Sequence, residues 1–155
     1  MKTKEEVVKE IGNLKKQWMD QNLKFVDKIT KISVKNDFYY GRNIRGDKRS
    51  PKMSGKLIVY DWCFSNCWYP GDYVGDKDKA DKRKKAVAEI KKMKKEWMAM
   101  NKKFIDKISK IAAAGNWTYS VGLYKVTPKQ VGAEIVYDWC KYGHWYPRYL
   151  KEFHK

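Results

Sequence analysis

Two long stretches of the chain carry apolar residues at helical spacing among polar ones. In the first, Val7, Val8, Ile11, Leu14, Trp18, Phe25, Ile29 and Ile32 recur, and Ile11, Trp18, Phe25 and Ile32 lie seven apart on one stripe. Thr3 with Glu6 reads as a capping box at its start. The pattern predicts a helix from about residue 4 to about residue 33. The second stretch repeats the first: Ile90, Trp97, Phe104 and Ile111 match the stripe, Asn101 matches Asn22 and Asp106 matches Asp27. It predicts a helix from about residue 79 to about residue 113, ended by Gly115 and Asn116. The plainest use of both stripes is core packing.

After each helix the pattern changes to aromatic and β-branched runs. Phe38-Tyr39-Tyr40 and residues 56–63 read as two strands joined by a loop with Gly41, Gly46, Pro51 and Gly55. Residues 117–126 and 133–140 read as the matching pair, with Pro128 and Gly132 in the loop between them. Residues 71–85, rich in charge, read as the joint between the copies, and Asp76 or Asp78 is placed to cap the next helix. Residues 148–155 read as a final helical turn. The expected fold is therefore α+β: two tandem helix–β-hairpin repeats (αββ-αββ), residues 1–75 and 76–155, packed as one pseudo-twofold domain.

The duplication is sharpest in one motif. Val59-Tyr60-Asp61-Trp62-Cys63 is followed three residues later by Cys67-Trp68-Tyr69-Pro70. Val136-Tyr137-Asp138-Trp139-Cys140 is followed in the same way by His144-Trp145-Tyr146-Pro147. Cys67 and His144 occupy equivalent places, so each copy offers two zinc-ligand types. Cys63, Cys67, Cys140 and His144 together would complete one closed, structural zinc tetrahedron. The competing reading makes Cys63 and Cys140 small core hydrophobes and His144 a surface or hydrogen-bonding residue. Asp61 and Asp138 would suit a divalent ion in nuclease chemistry, but the further acids and the Lys or His of such a site are missing from their surroundings. The simpler role is structural, each Asp accepting from a Trp, Tyr or backbone donor in the facing motif. No nucleophile–base–acid set and no phosphate-cradling Gly loop is visible, so the expectation is a protein that is not an enzyme.

Charge changes the picture more than composition does. The 155 residues carry 35 Lys and Arg against 18 Asp and Glu, a net +17. Residues 1–75 hold 15 basic and 9 acidic residues, +6, and the remainder 20 and 9, +11, so the excess is not a tail. Such a surface attracts polyanions, and nucleic acid is the commonest intracellular one. Arg42, Arg45, Lys48, Arg49 and Lys52 crowd the first loop, and Lys91, Lys94, Lys95 and Lys102 the second helix. With seven Trp and eleven Tyr nearby in sequence, phosphate contact and base stacking both become accessible. No standard reader motif is present, so the expected mode is backbone-dominated and weakly sequence-specific. The alternative is a small protein-interaction module, an inhibitor or assembly subunit of a virus or mobile element, docking on an acidic partner. The heptad-spaced helices leave homodimerisation open. Three cysteines argue against a secreted disulfide framework, the N-terminus lacks the apolar stretch of a signal peptide, and no run would span a bilayer. An intracellular location, cytoplasmic or nuclear, is the expectation.

Overall fold

A computed structural model describes residues 2–41, 50–120 and 126–154. The elements are α1 (Lys4–Asn36), β1 (Tyr39–Tyr40), α2 (Ser54–Ser65), β2 (Tyr73–Val74), α3 (Ala80–Gly115), β3 (Trp117–Tyr119), α4 (Val131–Tyr142) and β4 (Leu150–Glu152). Helix takes up 77% of the described residues. The αββ-αββ reading is therefore corrected: the protein is mostly helical, with two short antiparallel strand pairs.

The error lies in the motif segments. Residues 56–63 and 133–140 lie within α2 and α4. Their Ile, Val, Tyr and Trp residues suit strands, but propensity yields to packing. The buried positions of α4 are Val131, Gly132, Ile135, Val136 and Trp139, which recur at i, i+1, i+4, i+5 and i+8. That is one face of a helix; a half-buried strand would alternate. In α2 the buried set Ser54, Gly55, Ile58, Val59 and Trp62 repeats it, with Leu57 and Asp61 added.

Gly55 and Gly132 are not turn residues. A methyl group at Gly55 would overlap the Val26 carbonyl and Thr30 Oγ1, and one at Gly132 the Ile105 carbonyl and Ser109 Oγ. Each glycine lets a short helix lie directly on the backbone of a long one. Ser109 Oγ uses that proximity to accept from Gly132 N–H at 2.9 Å.

The strands pair around the short helices. Tyr39 and Tyr40 lie opposite Val74 and Tyr73. Trp117, Thr118 and Tyr119 lie opposite Glu152, Lys151 and Leu150. So residues 71–85 hold a strand rather than only a joint, and in residues 148–155 the helical turn is the end of a single 3₁₀ turn, Pro147–Tyr149, followed by a strand. The capping expectations hold: Thr3 N–H donates to Glu6 Oε1 and Glu6 N–H to Thr3 Oγ1, both at 3.2 Å. Asp76 accepts from Asp78 N–H at 3.1 Å, before the turn that leads into α3.

The chain divides into two compact units, Asp20–Met98 and Met1–Met19 with Ala99–Lys155. Each takes a length of both long helices, so the units do not coincide with the sequence repeats. In the unit Asp20–Met98, Ile29, Phe38, Tyr40, Ile58, Trp62, Tyr73, Ile90 and Trp97 form the core. Trp62 and Trp97 pack with centroids 5.5 Å apart, and the Trp97 indole N–H donates to Asn22 Oδ1 at 2.7 Å. In the other unit Val7, Ile11, Trp18, Phe104, Ile108, Ile135, Trp139 and Leu150 are buried. There Trp139 lies 5.7 Å from Trp18, whose indole donates to Asn101 Oδ1 at 2.8 Å. The equivalent asparagines noted in the sequence thus serve equivalent tryptophans. Along α1 the buried line runs through Ile11 and Trp18 and then moves to Ile29 and Ser33, while Phe25 and Ile32 are only half-buried. A straight helix of 3.6 residues per turn drifts off a strict seven-residue repeat by about 20° per heptad.

Candidate nucleic-acid interface

The repeated motif closes each unit through one chain of hydrogen bonds. Tyr40 at the end of β1 donates its hydroxyl to Asp61 Oδ2 at 2.7 Å, and the same hydroxyl oxygen accepts from Tyr69 N–H at 2.9 Å. In the other unit Tyr119 donates to Asp138 Oδ2 at 2.8 Å and accepts from Tyr146 N–H at 2.9 Å. The residue beside each accepted amide, Trp68 or Trp145, is buried against the same tyrosine at 6.1 or 6.2 Å. The motif carboxylates therefore hold a tyrosine that holds the returning strand segment. The tyrosines that donate to them lie in the same unit as each carboxylate.

Burial pushes the Tyr119 hydroxyl well above the ordinary tyrosine range, and the Asp138 carboxylate beside it adds to the shift. Asp138 is itself raised above the usual carboxylate value, chiefly by burial, while the Tyr119 hydrogen bond opposes the shift. Half-buried Glu134 is raised by burial and by the neighbouring Asp138 charge.

The cysteine and histidine set divides two and two. Cys63 and Cys67 belong to the unit Asp20–Met98, Cys140 and His144 to the other. Cys63 and Cys140 are half-buried and Cys67 is exposed. Among the described residues no group of three or more His, Cys, Asp or Glu is arranged to hold a metal ion. The Cys-x3 spacing straddles the helix ends: Asn66 and Gly143 adopt left-handed conformations that terminate α2 and α4. Both ring nitrogens of His144 have partners, Nδ1 at 3.1 Å from the Tyr142 carbonyl and Nε2 at 3.1 Å from the Tyr146 hydroxyl. Since a carbonyl only accepts, the neutral ring carries its proton on Nδ1.

Of the basic residues expected at the site, Arg42, Arg45, Lys48 and Arg49 lie outside the described residues. Lys52 is exposed on a single 3₁₀ turn, Pro51–Met53. Lys91 and Lys95 are exposed on α3, and Lys94 is half-exposed. Lys102 is exposed and bonds Asp106 Oδ2 at 2.8 Å, so part of its charge is answered locally. Sequence reasoning missed Lys84. It lies seven residues before Lys91 and eleven before Lys95, so the three share one face of α3. Among the described residues, Lys84, Lys91, Lys92, Lys94 and Lys95 form no ion pair. Arg83 is committed elsewhere: its guanidinium donates to the Tyr73 carbonyl at 2.6 Å and to the Pro70 carbonyl, holding β2 and the turn before it.

Sequence reasoning also missed an aromatic group after α4. Tyr142, His144, Tyr146 and Tyr149 follow one another in ring contact, with Arg148 against the last two. The run Tyr142 to Tyr149 carried the signal, but it is split between the repeated motif, through Pro147, and the tail that begins at Arg148. A cleft of about 550 Å³ in the same unit is lined by Lys2, Glu6, Val7, Lys110, Ile111 and Ala114. It holds an acid and two lysines without a nucleophile, and Glu6 is already spent on the helix cap. No helix among the described residues is long and apolar enough to cross a membrane. Comparison with protein-family models, with curated proteins and with solved structures gives no match.

Proposed function

We propose that this chain is a non-enzymatic nucleic-acid-binding protein whose contacts are backbone-dominated and weakly sequence-specific. The observation that carries the reading is the lysine face of α3. Lys84, Lys91 and Lys95 are exposed along one line, with Lys92 and Lys94 beside it, and none is ion-paired among the described residues. Lysines kept only for solubility are commonly interleaved with acids at i,i+4 spacing, as Lys102 is with Asp106 and Lys92 with Glu96, whereas Lys91, Lys94 and Lys95 have no acid three or four residues away. Unanswered lysines on a chain of net +17 leave a strong field for a polyanion. Arg42, Arg45, Lys48, Arg49 and Lys52 would add phosphate contacts through a second basic segment.

The test is binding to labelled single-stranded and double-stranded oligonucleotides across a salt series. Binding that persists near physiological salt, with a log–log slope of several phosphates, is the expected result. Binding only at very low salt, equal for every polyanion tried, would overturn the reading. A stoichiometric acidic protein copurifying in place of nucleic acid would transfer the function to protein docking.

A further inference from the structure

We propose that the aromatic group at the end of α4 is a base-stacking site, and that the nucleic acid this protein takes is single-stranded. The inference rests on the nucleic-acid reading above and names its substrate class.

The geometry is that of a run of neighbouring rings at the surface, inclined to one another by 41°, 82° and 51°. Tyr142 and His144 lie 6.1 Å apart between centroids, His144 and Tyr146 5.0 Å, and Tyr146 and Tyr149 5.3 Å. Tyr142 is 47% exposed, His144 is exposed, and Tyr146 and Tyr149 are half-exposed. Cations flank both ends. The Lys141 ammonium stands 5.3 Å from the Tyr142 ring, and the Arg148 guanidinium 5.2 Å from Tyr146 and 4.9 Å from Tyr149.

The duplication supplies an internal control. Where α4 and its exit carry Lys141, Tyr142, His144, Arg148 and Tyr149, the equivalent places of the first copy carry Phe64, Ser65, Cys67, Gly71 and Asp72. The clamp residues are the same in both copies: Tyr40 and Tyr119, Asp61 and Asp138, Trp68 and Trp145. The fold closes around either set, so it does not require these rings. At four of the five places, Tyr142, His144, Arg148 and Tyr149, the second copy carries a ring or a cation where the first has Ser65, Cys67, Gly71 and Asp72; at the fifth, Lys141 stands where the first copy has the exposed ring of Phe64, stacked on Tyr60.

The chemistry selects the occupant. In a duplex the faces of the bases are covered by their neighbours. Only an unpaired strand offers them to protein rings, while its phosphates reach the flanking cations. An acidic protein surface would be met by the charges but would leave the ring faces without a counterpart.

The experiment uses the full chain and three labelled 20-mers: oligothymidine, oligouridine and an abasic strand of equal charge. Tyr142→Ala combined with His144→Ala removes two exposed rings, and a thermal melt matching the wild type checks the fold. Affinity for the base-bearing strands should fall roughly 5- to 150-fold, the range for loss of one base stack, with the abasic strand unaffected. Tyr142→Phe, which keeps the ring, should bind as the wild type does. A loss on either base-bearing strand supports the site. If the wild type binds all three strands and the double variant matches it, or loses the abasic strand equally, stacking is overturned while phosphate binding stands. A wild type that binds none of them overturns both readings.

Discussion

The Tyr119 hydroxyl donates to Asp138 at 2.8 Å while accepting the Tyr146 amide at 2.9 Å, so one oxygen joins the end of β3, the middle of α4 and the segment leading into β4. Tyr119→Phe removes both bonds, taking the hydroxyl donor from the half-buried Asp138 carboxylate and the acceptor from the Tyr146 amide. The expected cost is about 1–3 kcal/mol of stability, measured as a shift in the urea midpoint. Asp138→Asn keeps an acceptor for Tyr119 and should cost less than Tyr119→Phe.

Asp138 also predicts a pH dependence. Burial raises its folded-state value above the ordinary 3.8, so the folded chain binds this proton more tightly than the unfolded chain. Its contribution to stability is fully present below the unfolded value and is lost as the pH rises through the folded value. Glu134, raised above 4.5, acts in the same direction. Relative to Asp138→Asn, which cannot titrate here, the wild type should therefore gain stability as the pH falls from neutral toward about 4. Unfolding midpoints of the two proteins across that window check it. A constant difference would mean that Asp138 titrates normally in the fold.

Two tryptophans in contact should respond differently to the same substitution. Trp97 donates to Asn22, whereas the buried Trp62 indole nitrogen has no acceptor among the described residues. Trp97→Phe loses packing and also leaves the Asn22 carbonyl unpaired. Trp62→Phe loses similar packing but removes an unsatisfied donor. Trp97→Phe should cost more, by about 1 kcal/mol, because half-buried Asn22 loses its donor while water can still reach it in part. Equal thermal shifts would show that the Asn22 bond adds nothing to the packing.

Both long helices were legible because their signals are local: a capping box at Thr3 and Glu6, and apolar spacing sustained over many turns. The repeat was legible for the same reason, down to the Asn22 and Asn101 pair. The short helices were not. In α2 the segment Ile58-Val59-Tyr60 is β-branched and aromatic, and the helix it joins packs through Gly55 on the Val26 backbone, a contact invisible to any window around the motif. The strand partners were hidden because β2 and β4 are only two and three residues long and follow a Pro turn. At the candidate interface, charge placed Lys91, Lys94 and Lys95 on α3, but sequence could not tell that Lys102 has an acid within reach or that Arg83 is structural.

The glycines give predictions of opposite sign. Gly55→Ala and Gly132→Ala force a methyl group into a neighbouring backbone carbonyl, which cannot swing away as a side-chain end would. Overpacking of this kind costs about 1–3 kcal/mol and sometimes more. Gly12 lies inside α1, and a methyl group there meets nothing within 4 Å. Gly12→Ala should stabilise by roughly 0.5–1 kcal/mol through helix propensity alone. Thermal melts of the three variants check both signs at once.

The lysine face makes a prediction about slope rather than affinity alone. If Lys91, Lys94 and Lys95 each neutralise one phosphate, their triple replacement by Gln should lower the log–log salt slope by about 0.7 per lysine on single strands, and about 0.9 on duplex. Lys102→Gln should change it less, because Asp106 already answers that charge at 2.8 Å. Replacing Arg42, Arg45, Lys48, Arg49 and Lys52 together tests the other basic segment on the same scale. A slope that falls with the loop set and not with the helix set would move the phosphate track to the segment after β1. A slope that falls with both would mean that one strand engages both segments, since independent weak sites would each leave the other's slope in place.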